Sequence, residues 1–198
     1  QNFVIDNGDR VGNNLFHSFD TFSIPTNGSA IFNNATTLEN IFGRITGNNI
    51  SNVDGLIQAN GIANVFLLNP NGIVFGENAS LNIGGSFIAS TAESILFNDT
   101  VAFSATKAAP VPLLTVSTPA GLGLGNNPGP ITVLGPGHGL TLDFSTSSLI
   151  RDNCLMGLQV NAGKTLALIG GDILIEGSNL TAHQGRIELG SVAQAGID

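Results

Sequence analysis

The stretch Asn69-Pro70-Asn71-Gly72-Ile73 lies between two short apolar runs, Ala63-Asn64-Val65-Phe66-Leu67-Leu68 and Val74-Phe75. Its first four residues fit a type I turn at every position. Asparagine suits the first position, proline fixes φ at the second, asparagine tolerates the third and glycine is favoured at the fourth. A turn this explicit between strand-like runs, in a chain rich in glycine and asparagine, predicts a parallel β-helix.

The composition of the 198-residue chain bounds its fold class. Charged residues are 10% of the chain, hydrophobic residues are 42%, and there are 26 glycines. The chain is therefore too apolar for disorder and too often broken by glycine for long helices. Its length suffices for one well-cored domain. We predict a single all-β domain over residues 1–198.

The charge balance disfavours two classes of partner. The net charge is −8, with only six lysines and arginines, so there is no cationic footprint for nucleic acid or for an anionic membrane surface. No apolar run approaches the roughly 20 residues that span a bilayer. The sequence opens at Gln1 without a methionine, which we interpret as a mature or trimmed product.

Short strand-like runs recur along the chain, and Gly, Asn, Asp or Pro separates nearly all of them. No window shows helical periodicity, so helix content is predicted to be low. A weak repeat relates Leu81–Ile88 to Ala167–Leu174, each with a Gly-Gly pair. Such a repeat favours a solenoid, in which each coil covers the hydrophobic face of its neighbours.

The segment of about residues 108–136 differs from the rest of the chain. It carries six prolines, and proline cannot donate to a central ladder. We predict an extra-helical insertion or hairpin on one face, with a flexible linker as the alternative. The apolar run Leu113–Val116 within it favours partial packing.

The residues that usually carry catalysis are sparse. His17, His138 and His183 lie far apart without metal-ligand spacing, and Cys154 is interpreted as a buried apolar residue rather than a reactive thiol. We predict no catalytic residue, no metal site and no cofactor. Scattered charges could still align on one face as in β-helix enzymes that cut acidic polysaccharides; they are Asp143, Asp152, Asp172, Glu176 and Glu188, with Arg151 or Arg186.

A longer ordered set of motifs resembles a known family, the two-partner secretion (TPS) domain of filamentous-haemagglutinin-type exoproteins, also called the haemagglutination activity domain or TpsA N-terminal domain. The resemblance covers about residues 1–100 and resumes over Gly157 to Val192. Its motifs are Asn14–Phe19, Ala30–Asn34, Asn40–Gly47, Gly55–Gly61, Asn64–Ile73, Leu166–Asp172 and Gly185–Gly190. One departure is that Asn33-Asn34-Ala35-Thr36 stands where some relatives carry Asn-Pro-Asn-Leu, so no recognition role is carried over to it.

The resemblance implies a right-handed parallel β-helix with an N-terminal cap, here about residues 1–30, and extra-helical β-hairpins. It also implies a non-enzymatic secretion signal at the start of a large exoprotein. Its implied partner is a TpsB-type outer-membrane β-barrel of the Omp85 superfamily with periplasmic POTRA domains. The implied location is the cell surface or medium of a diderm bacterium, where the chain folds, as a monomer, after crossing the outer membrane.

Two interpretations of Asn69, Pro70, Asn71, Gly72 and Ile73 stay open. The motif either makes a turn that lets coils stack, with Ile73 facing inward, or it contacts the transporter directly.

Other residues are assigned structural roles. The pairs Gly84-Gly85 and Gly170-Gly171 are expected at close backbone turns. Phe16, Phe19 and Phe22 are expected to seal the N-terminal cap rather than form a ligand-binding aromatic platform. Arg44 is expected to pair with a carboxylate such as Glu39 or Asp54.

Two alternative functions remain open at this point. The first is an adhesin module that binds glycans or host surfaces, although a chain without Trp and Tyr lacks the usual sugar-stacking platforms. The second is a β-helix polysaccharide lyase or hydrolase.

Overall fold

The computed structural model describes residues 1–106, 114–150 and 156–192, and within these ranges it contains strands and no helix. In chain order the strands are β1 (Asn2–Ile5), β2 (Asp9–Val11), β3 (Asn14–Phe19), β4 (Ser29–Phe32), β5 (Asn40–Ile45), β6 (Ser51–Val53), β7 (Leu56–Ala59), β8 (Asn64–Leu68), β9 (Ile73–Phe75), β10 (Ser80–Asn82), β11 (Phe87–Ser90), β12 (Ser94–Phe97), β13 (Ala102–Ser104), β14 (Pro119–Gly123), β15 (Ile131–Leu134), β16 (Thr141–Asp143), β17 (Ser148–Ile150), β18 (Gly157–Val160), β19 (Thr165–Gly170), β20 (Ile173–Glu176), β21 (Asn179–Ala182) and β22 (Arg186–Ser191).

Three sheets form the faces of a parallel β-solenoid, which confirms the predicted fold class. Sheet A has the order β1-β4-β7-β10, sheet B the order β2-β3-β5-β8-β11-β19-β22, and sheet C the order β20-β15-β9-β6. Each complete coil contributes one strand to A, then one to B and one to C, and each of these strands pairs in parallel with the strand one coil away. The parallel pair of β18 and β21 lies beside β10 and continues the side of sheet A.

The interior of the solenoid is filled by the inward-facing half of each strand. In β7 and β8 buried and half-buried residues alternate along the chain, as the two-residue period of a strand requires. The inward side chains form one continuous apolar core that runs from Leu15 in the first coil to Leu168 near the last. Each coil therefore depends on its neighbours to cover its apolar side.

At the N-terminal end of the solenoid, sheet B ends in its one antiparallel strand. Strand β2 pairs antiparallel with β3, while β1 pairs in parallel with β4 and already belongs to the coils. No helix in the described parts of the chain has the length and apolarity needed to cross a membrane.

Two segments leave the coils. Between β11 and β15 the chain forms the antiparallel sheet β13-β12-β14, and between β15 and β18 it forms the β16–β17 hairpin. Residues Ile131–Leu134 fall inside the range predicted as an insertion, but they form β15 and pair in parallel with β9 and β20. Their flanks, Pro130 and Gly135, are the corners at which the chain re-enters and leaves the coil.

The two Gly-Gly pairs lie at different corners. Gly84-Gly85 joins β10 to β11, whereas Gly170-Gly171 joins β19 to β20, so the repeated sequence does not mark equivalent positions in successive coils. Both are close backbone approaches, as predicted: a Cβ on Gly84 would lie 1.9 Å from the carbonyl oxygen of Gly61.

Candidate functional site

The predicted turn at Asn69–Ile73 forms the corner between sheets B and C, joining β8 to β9. The backbone N–H of Gly72 donates to the carbonyl oxygen of Asn69 at 3.2 Å, which closes the four-residue turn. Within it, the side-chain oxygen of Asn69 accepts from both the backbone N–H and the Nδ2 of Asn71, each at 3.0 Å. An asparagine at the first position thus folds its side chain over its own turn.

The same side chains bind the corner of the preceding coil. Asn69 Nδ2 donates to the carbonyl oxygen of Asn49 at 3.0 Å and to Ser51 Oγ at 2.9 Å. Asn71 Nδ2 donates to the carbonyl oxygen of Gly47 at 2.8 Å. Asn69 and Ser51 are both fully buried, so these bonds satisfy polar groups that water does not reach.

The motif also forms backbone hydrogen bonds with the following coil. Gly129 donates its backbone N–H to the carbonyl oxygen of Pro70 at 2.9 Å, and the N–H of Ile73 donates to the carbonyl oxygen of Pro130 at 3.0 Å. Thr91 Oγ1 donates to the carbonyl oxygen of Gly129 at 2.7 Å. The turn is therefore the surface on which the chain re-enters the solenoid after its first excursion.

Only a small part of the motif is accessible in the folded domain. Asn69, Gly72 and Ile73 are buried, and Pro70 and Asn71 are half-buried. Ile73 faces the core, as the turn interpretation predicted. This arrangement offers no acid, base or nucleophile; its chemistry is hydrogen bonding that fixes the register of three coils.

A second asparagine network crosses the start of sheet B, and sequence analysis did not identify it. Asn40 Nδ2 donates to Asn14 Oδ1 at 2.9 Å, and Asn64 Nδ2 donates to Asn40 Oδ1 at 3.0 Å. Asn64 Oδ1 then accepts from the backbone N–H of Ser86 at 2.8 Å. The sequence did contain an indication of this network, because each of the three asparagines is the first residue of its strand.

This ladder is tied to the first excursion. Asn14 Nδ2 donates to the carbonyl oxygens of Thr115 and Ser117, at 3.0 and 2.9 Å. A buried side chain of the first coil thus holds a segment that lies about a hundred residues later in the chain.

The segment that departs from the Asn-Pro-Asn-Leu pattern also stitches two coils together. Asn34 is buried. Its Nδ2 donates to the carbonyl oxygen of Asn60 at 3.0 Å, and its Oδ1 accepts from the backbone N–H of Asn60 at 2.9 Å.

The outer face of sheet B carries a column of phenylalanines. Phe16 stacks on Phe42 with ring centroids 5.0 Å apart, and Phe42 stacks on Phe66 at 4.8 Å. The antiparallel sheet β13-β12-β14 covers this column with Phe97 and Phe103. Phe16 therefore packs outside the coils and does not seal the N-terminal cap as expected, while Phe22 is buried in the core and Phe19 packs against it.

Arg44 fastens this covering sheet, and its expected pairing with Glu39 or Asp54 is wrong. Its guanidinium carbon lies 4.4 Å from the centre of the Phe103 ring. Nε donates to Ser18 Oγ at 2.8 Å and Nη1 to the carbonyl oxygen of Ser104. Burial lowers the pKa of the Arg44 guanidinium, but the group stays charged at any physiological pH.

The two carboxylates expected near Arg44 have other partners. Glu39 accepts from Asn13 Nδ2 at 3.0 Å. Asp54 accepts from the Thr26 hydroxyl and from Asn78, and these hydrogen bonds, that of Thr26 foremost, lower the pKa of the Asp54 carboxyl.

The residues considered for polysaccharide cleavage are not brought together where the structure describes them. Asp143 closes the turn of the β16–β17 hairpin, and Glu188 forms an exposed ion pair with Arg186 at 2.9 Å. Within the described ranges no three His, Cys, Asp or Glu residues are placed to hold a metal. Arg151, Asp152 and Cys154 lie outside those ranges.

His17 is buried beside the N-terminal end of the core. Its ring lies 5.8 Å from that of Phe19 and 5.4 Å from that of Phe32, centre to centre, and its Nε2 is buried without a hydrogen-bond partner among the described residues. Burial lowers the pKa of this imidazole, and the charge of Asp9 offsets part of that effect. The histidine is thus held neutral as a packing residue.

Comparison with known proteins adds two findings. The family model of the TPS secretion domain matches residues 1–198. A heme/hemopexin-binding protein of Haemophilus influenzae is 36% identical over 72 residues, which are 36% of this chain and 7% of that protein. The chain thus matches a small part of this much longer relative.

Proposed function

Because the chain belongs to the TPS secretion domain family, we propose that it is the N-terminal secretion signal of a larger exoprotein, recognised by a TpsB-type outer-membrane transporter through POTRA domains. In this proposal the domain is a monomer without enzymatic activity. It crosses the outer membrane of a diderm bacterium and nucleates β-helix folding at the cell surface. The match over residues 1–198 is the observation that carries the proposal.

We assign the Asn69–Ile73 motif to folding rather than to contact with the transporter in the folded state. The side chain of Asn69 is fully buried, and its amide group makes four hydrogen bonds within and below the turn. A transporter that met the folded domain would find only parts of Pro70 and Asn71. The motif as a whole is exposed only while the chain is unfolded.

The order of contacts supports nucleation by the first coils. Strands β3, β5 and β8 pair with one another one coil apart, so they close before the two excursions must be accommodated. The corner at residues 69–73 is then already formed when Gly129 and Pro130 hydrogen-bond to it. Domain stability of about 5–15 kcal/mol becomes available only on the far side of the membrane, which favours forward movement.

An export experiment tests the secretion role. The domain would be expressed behind a Sec signal peptide with its cognate transporter, and without it, and the medium would be assayed for the folded domain. Accumulation that requires the transporter is the expected result. Equal accumulation without a functional transporter would overturn the proposal and make the adhesin module the leading alternative.

The role of the Asn69–Ile73 motif is tested with a variant that changes the motif and leaves the rest of the secretion signal intact. We compare Asn69→Ala/Asn71→Ala with the matched control Asn126→Ala/Asn127→Ala, whose asparagines are exposed. The expected result is that the motif variant alone becomes protease-sensitive and refolds poorly after purification. A motif variant that folds like wild type yet is not exported would instead show direct recognition.

A further inference from the structure

The β16–β17 hairpin stands apart from the solenoid. Its two strands pair with each other, in the register Leu142 to Leu149, and belong to no larger sheet. The turn is closed by Asp143, whose carboxylate accepts from Ser145 Oγ at 2.6 Å and from Thr146 Oγ1 at 2.7 Å. The hairpin is therefore a defined element, although isolated two-stranded hairpins are only marginally stable in water.

The hairpin carries most of its uncovered apolar side chains on one face. Successive side chains of a strand point to opposite faces, so Leu142 shares a face with its partner Leu149, and Thr141 and Asp143 lie on the other. Leu142 and Leu149 are 48% and 71% exposed, Leu140 before the strand is 64% exposed, and Phe144 at the turn is 86% exposed. Ile150, 52% exposed, adds an apolar side chain to the face that carries Asp143.

The size of this apolar face argues against a protein as its partner. The four side chains of Leu140, Leu142, Phe144 and Leu149 expose roughly 500 Å², within the range in which patches on monomers are often functional. A stable protein interface needs about 800 Å² on each partner. A lipid surface has no such threshold, because each apolar side chain that enters it contributes separately.

The charges of the hairpin indicate which lipid surface fits. Residues 140–150 contain no lysine or arginine, and their one charged side chain is Asp143. Binding to anionic headgroups depends on basic residues, and the chain as a whole carries a net charge of −8. The matching surface is a bilayer with electrically neutral headgroups.

We propose that the β16–β17 hairpin docks the folded domain on the surface of a neutral phospholipid bilayer, with Phe144 and Leu149 inserted among the lipid chains. This peripheral attachment is independent of the secretion role, since it rests on the exposed face of the hairpin alone. It would hold the domain at a membrane surface without a spanning segment.

Vesicle flotation of the purified domain tests the proposal. Phosphatidylcholine vesicles are expected to carry the wild-type domain upward, and Phe144→Ser/Leu149→Thr is expected to weaken binding about tenfold or more, since two large side chains no longer enter the lipid. The control Ile62→Thr removes a side chain that is 66% exposed elsewhere and is expected to bind like wild type. Circular dichroism and the unfolding midpoint verify that each variant is folded.

A fluorescence measurement gives a second readout. The chain contains no tryptophan, so Phe144→Trp introduces a single reporter whose emission should shift to the blue with phosphatidylcholine vesicles, whereas Ile62→Trp should not. Absence of both flotation and the shift would overturn the proposal. So would stronger binding to phosphatidylglycerol than to phosphatidylcholine, or a concentration-dependent dimer that the double variant abolishes.

Discussion

The backbone N–H of Gly129 donates to the carbonyl oxygen of Pro70 across 2.9 Å, although a whole excursion of the chain separates the two residues. This bond places the re-entry of the chain directly on the turn that the sequence specifies most clearly. The turn is thus a template for a distant segment as well as a local corner.

Replacing Gly129 with alanine should disturb this template. A Cβ at Gly129 would lie 2.4 Å from the carbonyl carbon of Asn71, so backbone must move, and we expect a loss of about 1–3 kcal/mol of unfolding free energy. Gly121→Ala is the control, because no atom lies within 4 Å of a Cβ there. Denaturant unfolding measures both; equal stability of the two variants would contradict the template role.

Replacing the buried amide of Asn69 with an ionisable carboxyl should make the loss of stability depend on pH. Asn69→Asp keeps an acceptor for Asn71 but loses the donor to Asn49 and Ser51. Burial raises the pKa of such a carboxyl, so the variant should lose more stability relative to wild type at pH 7 than at pH 4, where the group is neutral. A difference in unfolding free energy that does not change with pH would show that the site admits water.

The asparagine ladder should behave as a coupled unit. Asn40→Ala removes the group that donates to Asn14 and accepts from Asn64, and it should cost about 1–3 kcal/mol because both partners are left unsatisfied. A double-mutant cycle of Asn14→Ala and Asn40→Ala should show a coupling of at least about 0.5 kcal/mol. If the effects of the two single substitutions on the unfolding free energy simply add, water replaces the hydrogen bonds of the ladder without loss of stability.

His17 should make stability depend on pH. The pKa of His17 in the folded domain lies below that of the unfolded chain, so the two states differ in bound protons only below about pH 6.5. Stability should be constant above that pH and fall as the pH drops towards the folded pKa. His17→Gln should flatten this dependence, and an unchanged dependence in that variant would contradict the role of His17.

Removing the guanidinium of Arg44 should loosen the covering sheet. Arg44→Ala loses the contact with Phe103 and the bonds to Ser18 and Ser104, so limited proteolysis should cut within residues 93–106 faster than in wild type. Arg44→Lys keeps the charge but not the planar stacking group, and it should rescue only partly. Full protection in Arg44→Ala would show that the phenylalanine column holds the sheet unaided.

Much of the solenoid was predictable because the residues at its corners have strong turn preferences. Asn69 to Gly72 folds as its residue types require, and the short apolar runs became strands of three sheets. The strand β15 is harder to foresee, since the prolines and glycines around it indicate an excursion. These prolines and glycines instead lie at corners of the coil, and only the pairing of β15 with β9 reveals this.

The polar contacts between coils were not predictable in the same way. An asparagine at a strand start is ordinarily interpreted as a turn former, and the ladder appears only when the register places Asn14, Asn40 and Asn64 side by side. Arg44 was assigned to carboxylates on charge alone. Its aromatic and carbonyl partners come from a segment about 60 residues away, which no local pattern indicates.

The placement of both excursions at corners of one coil has a consequence for protein engineering. Strand β11 pairs with β8 and β19, and β15 pairs with β9 and β20, so these parallel ladders do not depend on how much chain lies between β11 and β15 or between β15 and β18. The entropic cost of a longer loop grows only slowly with its length. The turn of the β16–β17 hairpin is therefore a natural grafting position, because foreign peptides can be displayed there without disturbing the hydrogen bonds that Asn14 and Arg44 make with the first excursion.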